Sequence, residues 1–70
     1  MKELTPKQRK VLAYIAARIA ATGKAPTHRE IAAHFHWSSN AAAKVHLLAL
    51  ERKGAIRLSP MTARGIEVLP

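Results

Sequence analysis

Apolar residues recur at helical spacing in three successive stretches of the chain, and each stretch opens with a capping signal. In the first, Thr5 precedes Pro6, and Gln8 follows three residues after the threonine. This is a capping-box pattern with a proline at the first helical position. The apolar side of this helix consists of Val11, Leu12, Ile15 and Ile19. Gly23 tolerates the left-handed conformation that ends a helix, so the pattern predicts a first helix between Thr5 and Gly23.

A second, shorter helix is predicted to begin after Thr27, where Glu30 completes another capping box. Its inward side consists of Ile31, Ala32 and Phe35. Trp37 follows in the connection to the next helix. Because an indole buries a large apolar area, we expect this tryptophan to fill part of the core between the helices.

The third stretch, from Ser38 to Gly54, is predicted to be a helix with two distinct faces. Ser38 or Ser39 serves as its N-terminal cap, and Gly54 ends it. At about 100° per residue, the face toward the core consists of Ala43, His46, Leu47 and Leu50. The opposite face consists of Ala41, Val45, Leu48 and Arg52, with Ala42 and Lys44 on its flanks.

After Gly54 the apolar pattern changes from helical spacing to alternation. The segments "AIRL" and "GIEVL" predict two short antiparallel strands, in which Arg57 and Glu67 face each other. The turn-forming segment "SPMTAR" leaves a loop of about seven residues between them. Helices two and three are separated by a turn of about three residues, as in a helix-turn-helix. The chain is therefore predicted to be a single domain, residues 1–70, mainly α with a small β-hairpin: a three-helix winged helix-turn-helix with a C-terminal two-stranded antiparallel wing.

The charge balance adds an expectation about the partner. Twelve Lys and Arg residues stand against four Asp and Glu, which gives a net charge of +8. So large an excess on a small domain favours nucleic acid or another anionic surface, although a solvated basic face is the alternative. The chain has no apolar run of the roughly 20 residues that a membrane span needs, and its N-terminus lacks a signal-peptide pattern. We expect a cytoplasmic protein without a membrane partner.

Catalytic and metal-binding patterns are weak in this sequence. There is no acid pair, no glycine-rich phosphate loop and no cysteine, and Ser38, Ser39 and Ser59 lack an evident base. His34 and His36 are two residues apart, which is poor spacing for ligands on one helical face. We therefore expect no enzymatic activity, no metal site, no cofactor and no small-molecule ligand.

The third helix, over residues 39–53, is the candidate recognition helix. The major groove is about 12 Å wide, and the small residues at the start of the helix keep its leading end slim. Serine and asparagine offer donors and acceptors to base edges, lysine reaches a base or a phosphate, and valine contacts a thymine methyl group. The predicted base-reading residues are Ser39, Asn40, Ala41, Ala42, Lys44 and Val45.

Two competing interpretations apply to the same face. Ser39 serves as a helix cap as readily as a base contact. Val45 and Leu48, together with small residues that point outward on the first helix, form a protein-binding patch in the alternative function of a winged-helix interaction module. Those small residues are Ala13, Ala17 and Ala20.

Contacts to DNA phosphates are predicted from cationic residues that flank the third helix. They are Lys7, His28, Arg29, Arg52, Lys53, Arg57 and Arg64. Taken alone, each of them is more typical of a solvated surface charge than of a phosphate contact. Collectively they predict an affinity for DNA that falls steeply with salt, with a slope of log affinity against log salt of about −0.9 per phosphate neutralised.

The chain resembles the DNA-binding domain of the LexA repressor family, the bacterial SOS regulators. The resemblance rests on "LTPKQ", "PTHREIA", "NAA", "HLLALERKGAI" and "ARGIEVL", which are spread over essentially the whole chain. It implies a winged helix-turn-helix that binds operator DNA as a dimer, with double-stranded DNA and a second copy on a neighbouring half-site as partners. It also implies association with the nucleoid. The family's base-reading positions correspond to Ser39, Ala41, Ala42, Lys44 and Val45.

The chain departs from the family pattern on the reading face. The family's proline and asparagine after the serine are Asn40 and Ala41 here, and its two acidic residues are Lys44 and Val45. This loss of two negative charges and gain of one positive charge predicts a target sequence different from the usual SOS operator. The family protein continues into a peptidase-like domain with a Ser/Lys pair, a self-cleavage site and the main dimer contacts. These 70 residues contain none of these, so neither self-cleavage nor a damage-sensing partner is inferred, and the chain is either an excised domain or a free-standing small regulator.

Overall fold

The computed structural model describes residues 3–59 and 65–69, which form three helices and a two-stranded antiparallel sheet. The elements are α1 (Pro6–Thr22), α2 (His28–His34), α3 (Asn40–Arg52), β1 (Ile56–Leu58) and β2 (Ile66–Val68). This order confirms the predicted mainly helical fold with a C-terminal hairpin. The predicted span of the third helix differs from α3 by one residue at each end, because Ser39 and Lys53 are its capping residues.

Both predicted capping boxes are present. The hydroxyl of Thr5 accepts a hydrogen bond from the Gln8 backbone N–H at 3.1 Å, and Gln8 Oε1 accepts one from the Thr5 N–H at 2.9 Å. The same reciprocal pair joins Thr27 and Glu30 at the start of α2, at 3.1 and 2.8 Å. At the other end of α1, Gly23 has a φ of 78° and its N–H donates to the Ile19 carbonyl, as the glycine predicts.

The core lies between the three helices and the inner face of the hairpin. Its buried hydrophobic residues are Val11, Ile15, Ala25, Ile31, Ala32, Ala43, Leu47, Leu50, Ile56 and Ile66. The inward faces predicted for the helices are therefore confirmed, with Leu12, Ile19, Phe35 and His46 half-buried at the edge of the core rather than inside it. On α3 the buried residues are Ala43, Leu47 and Leu50, so the opposite face of this helix points to solvent.

The turn between α2 and α3 covers residues 35–39, which is longer than the three residues predicted. It begins with a Schellman closure, in which the His36 N–H donates to Ala33 O at 3.2 Å and the Trp37 N–H donates to Ala32 O at 2.8 Å. His36 takes the left-handed conformation, with a φ of 60°, at the position where glycine is usual. The closure ends α2 early, and Ser39 stands outside α3 as its cap.

Trp37, predicted to fill part of the core, lies half-buried at its edge. Its ring stacks between Phe35, at 5.0 Å between centroids, and His46, at 4.5 Å. His46 Nδ1 lies 2.9 Å from Ala42 O and therefore donates to that carbonyl. This stacking packs the turn against α3 from the side away from its outward face.

The hairpin pairs Ile56 with Val68, Arg57 with Glu67, and Leu58 with Ile66. The cross-strand pair predicted from the sequence is confirmed, with Arg57 Nη1 3.5 Å from Glu67 Oε1 on the exposed side. Both side chains are more than 60% exposed, so this ion pair adds little stability.

Two contacts connect the hairpin to α3. Gly54 has a φ of 79° and its N–H donates to Glu51 O, while the Ala55 N–H donates to Leu50 O, so a second Schellman closure turns the chain into β1. The carboxylate of Glu51 also accepts a hydrogen bond from the Leu58 N–H at 3.0 Å. α3 and the hairpin are thereby held in a defined relative position.

Candidate nucleic-acid interface

The outward face of α3 is open to solvent along its whole length. Val45 is 65% exposed and Leu48 is 42% exposed, and Ala41, Lys44 and Arg52 are also exposed. Nothing in the described part of the chain covers this face, while the hairpin packs at the C-terminal end of the helix. One side of α3 is therefore accessible to a binding partner.

The first turn of α3 differs from the first turns of α1 and α2 in how it is capped. Ser39 occupies the N-cap position with extended backbone angles, φ −148° and ψ 156°, but its side chain makes no capping hydrogen bond. Thr5 and Thr27 both cap with their hydroxyls. The Ser39 hydroxyl and the first backbone N–H groups of α3 are consequently free to bind an acceptor such as a phosphate or base oxygen.

The candidate base-reading residues lie together at the N-terminal end of α3. Five of the six are exposed, and Ala42 is half-buried beside His46. From Ser39 to Val45 they extend about 9 Å along the helix axis, at about 1.5 Å per residue. An α-helix with its side chains is about 10–12 Å across, so an end with small side chains fits a groove about 12 Å wide. The members of this group are Ser39, Asn40, Ala41, Ala42, Lys44 and Val45.

The outward face of α3 is free of negative charge. All four acidic residues of the chain are glutamates within the described ranges. Glu30 forms the α2 capping box, Glu51 is half-buried and bound to the wing, and Glu67 pairs with Arg57. Glu3 lies in the segment before α1. The cations of α3 therefore act on an incoming anion without local compensation.

The predicted phosphate contacts lie on several elements around α3. Arg52 is exposed in its last turn, Arg57 is exposed on β1, and Lys7 is exposed in the first turn of α1. At the start of α2, His28 is half-buried and Arg29 is exposed. Arg64 lies outside the described residues. Solvent reaches the side chain of every described member of this set, although that of Lys53 is also bound within the protein.

Lys53 is bound within the protein. Its Nζ donates to Gln8 Oε1 at 2.7 Å and to the Glu3 backbone carbonyl at 2.8 Å, and the residue is half-buried. Gln8 Oε1 also accepts the Thr5 N–H of the capping box. The C-terminal end of α3 is therefore joined to the start of α1, through a contact between residues 45 positions apart that local sequence spacing does not predict.

Within the described residues, no group of three or more His, Cys, Asp or Glu side chains is arranged to hold a metal ion. The same part of the chain has no helix with the length and apolarity to cross a membrane.

The structure has three helices followed by a β-hairpin. The third helix packs one face against the core and exposes the opposite face to solvent. This arrangement defines a winged helix-turn-helix protein. The family model of the LexA DNA-binding domain matches residues 1–65. The chain belongs to this family, which confirms the resemblance seen in its motifs.

Whole-chain relatives support the same assignment. The chain is 51% identical to a LexA repressor of Tolumonas auensis, 48% identical to one of Pseudoalteromonas atlantica, and 48% identical to LexA repressor 1 of Geobacter sulfurreducens. These matches cover 97–99% of the chain and 33–34% of each relative. The chain thus spans about a third of the length of the curated relatives it matches.

Proposed function

We propose that this chain binds double-stranded DNA in a sequence-specific manner, as the DNA-reading domain of a bacterial transcriptional repressor, with α3 in the major groove. The observation that supports this most strongly is the exposed outward face of α3, which carries cations and no carboxylate. The family to which the chain belongs, and the repressors it is similar to, support the same function. This function places the protein on the nucleoid in the bacterial cytoplasm.

The residues at the start of α3 are assigned roles by their chemistry. Asn40 can pair with adenine through its amide, and Lys44 can donate to the acceptors of guanine. Ser39 can bond to several bases or to a phosphate, since its hydroxyl has no capping partner. Ala41 and Ala42 allow close approach, and Val45 contacts a pyrimidine methyl group. The residues that bind phosphates are Lys7, His28, Arg29, Arg52, Arg57 and Arg64. Lys53 joins them only if its ammonium leaves its hydrogen bond to Gln8 when DNA binds.

A single copy of the chain reads only a few base pairs, so strong discrimination requires two copies. Helix-turn-helix dimers bind half-sites about one helical turn, or a multiple of it, apart. We therefore infer an operator with two related half-sites. Because Lys44 and Val45 stand where the family has two acidic residues, these half-sites differ in sequence from the usual SOS operator.

Selection of bound duplexes from a random pool tests the proposal directly. The expected result is one enriched half-site motif, often present twice, with an affinity that falls steeply as salt rises. In parallel, titration of the labelled chain with an enriched duplex at low salt should shift amide signals between Ser38 and Leu48. If no motif is enriched and those signals do not move, the proposal is wrong.

The exposure of Val45 and Leu48 also supports a second candidate function, a protein-interaction module that keeps the winged-helix fold. Lys44→Glu distinguishes the two functions. The family has an acidic residue at this position, so the variant changes which bases are read: it removes the donors that the wild-type half-site requires. It should therefore weaken binding to the selected duplex strongly and leave an apolar protein contact largely intact. Loss of DNA binding in this variant, with an unchanged melting temperature, favours the DNA-binding function.

A further inference from the structure

Three apolar residues follow one line along the outward face of α3. Ala41, Val45 and Leu48 are spaced i, i+4 and i+7, which puts them on the same side of a helix. Val45 and Leu48 are the only large hydrophobic residues that are exposed in the described part of the chain. We call these three residues the apolar stripe. Its position on the face assigned to DNA calls for a ligand with apolar groups inside an otherwise polar groove.

We propose that the apolar stripe reads C5-methyl groups of pyrimidines in the major groove. This inference rests on the proposed function and names the chemistry that the same face recognises. The methyl group comes from thymine or from 5-methylcytosine, and it is the apolar feature that base edges present in this groove. Val45 is the main reader because it is the more exposed, and because a β-branched side chain on a helix has one strongly preferred rotamer.

The surroundings of the stripe favour a nucleic-acid groove over an apolar protein surface. Arg52 continues the same line at the C-terminal end, and Lys44 lies alongside Val45. Both are exposed, and the nearest carboxylate on the helix, Glu51, is turned toward the backbone of Leu58. An apolar partner would remove these two cations from water without compensation. A DNA groove presents phosphates to them along its edges and methyl groups between those edges.

The length of the stripe limits how many base pairs it can read. From Ala41 to Leu48 the helix rises about 10 Å, at about 1.5 Å per residue. Successive base pairs are about 3.4 Å apart, so the stripe spans about three base-pair steps if α3 follows the groove. The inference therefore predicts methyl-dependent positions within a window of about four base pairs in each half-site.

Base substitution in a selected duplex isolates the methyl group from every hydrogen bond. Thymine and uracil differ only by the C5-methyl, and so do 5-methylcytosine and cytosine. In the selected half-site each thymine is replaced in turn by uracil, and each cytosine by 5-methylcytosine. Binding of the chain to each duplex is measured by fluorescence anisotropy. Where the stripe makes contact, removal of the methyl should weaken binding about fourfold, the factor for one buried methyl group.

Variants of Val45 and Leu48 connect the effect to the stripe. Val45→Ser removes both methyl groups and should abolish the thymine/uracil difference at one position, whereas Val45→Thr keeps one methyl and should retain part of it. Leu48→Ala should act at a second, neighbouring position. Ala13→Ser, an exposed change on α1, is the matched control and should alter nothing. All three positions are exposed, so the melting temperatures of the four variants should be unchanged.

The outcomes separate this inference from the proposed function. A thymine preference that disappears in Val45→Ser supports the inference, and a methyl effect seen only with 5-methylcytosine supports it with modified DNA as the ligand. An enriched motif that loses no affinity when uracil replaces thymine, and gains none when 5-methylcytosine replaces cytosine, overturns the inference and leaves the proposed function standing. The inference is equally overturned if Val45→Ser and Leu48→Ala keep the wild-type thymine/uracil ratios. Absence of any enriched motif overturns both.

Discussion

Replacing Lys53 with methionine tests whether this side chain, at the C-terminal end of α3, contacts a DNA phosphate or stabilises the fold. As a phosphate contact, Lys53 would contribute to DNA affinity and its salt dependence. In the structure its ammonium is bound instead to Gln8 Oε1 at 2.7 Å and to the Glu3 carbonyl at 2.8 Å. Methionine keeps the apolar stem of the side chain and removes only the charge and its donors.

The distances allow the size of the effect to be worked out. A hydrogen bond to a charged group contributes about 1.5–3 kcal/mol when protected from water. Because Lys53 is only half-buried, we expect Lys53→Met to lower the free energy of unfolding by about 1–2 kcal/mol. In a domain of this size about 1 kcal/mol corresponds to about 4–8 °C in melting temperature. Thermal unfolding followed by circular dichroism measures the loss.

The salt dependence of DNA binding gives the second measurement. If Lys53 stays bound to α1, Lys53→Met leaves the slope of log affinity against log salt unchanged. If it contacts a phosphate, the slope falls by about 0.9. Lys7→Met is the matched control, since Lys7 is exposed: it should leave stability unchanged and reduce the slope. A Lys53→Met protein of wild-type stability with a reduced slope would refute the assignment of Lys53 to the intramolecular contact.

Three further predictions follow from contacts around α3. Glu51→Ala should lower the free energy of unfolding by about 1–2 kcal/mol, because the Leu58 N–H loses its acceptor. Glu51→Gln keeps an acceptor oxygen and should retain most of the wild-type stability, and chemical denaturation compares the two variants. His36→Gly should raise stability by about 0.5–1 kcal/mol in the same assay, by relieving the left-handed backbone, and an unchanged midpoint would count against strain at that residue. Ser39→Ala should leave the melting temperature within about 1 °C but weaken DNA binding, while Thr27→Ala should cost about 1 kcal/mol; equal destabilisation by both would contradict the uncapped serine.

Local patterns in the sequence predicted the features that depend on residues three or four apart. Both capping boxes form as expected because their donors and acceptors lie within one helical turn. The outward face of α3 was predicted because the opposite face has to be buried, and alternation after Gly54 predicted the register in which Arg57 faces Glu67. These predictions needed no knowledge of how the elements pack.

The features that the sequence did not predict depend on packing between distant segments. The bond from Lys53 to Gln8 exists only once α3 is packed against α1, and the acceptance of the Leu58 N–H by Glu51 exists only once the wing folds back on α3. His36 in the left-handed region gives no signal either, because glycine is the residue expected there. The edge position of Trp37 follows from the aromatic rings stacked on both of its faces.

The charge and the shape of α3 contribute differently to the proposed function. Attraction between its cations and DNA phosphates acts on every sequence equally, so Lys44 raises binding to non-specific DNA as well as to the operator. In the proposed function, discrimination has to come from contacts that depend on the base, which we assign to the amide of Asn40, the donors of Lys44 and the methyl groups of Val45. Such contacts each distinguish bases by about 1–3 kcal/mol, so one copy separates operator from bulk DNA by only a few orders of magnitude. For a repressor that competes with a whole genome, this shortfall is the physical reason to expect two copies on paired half-sites.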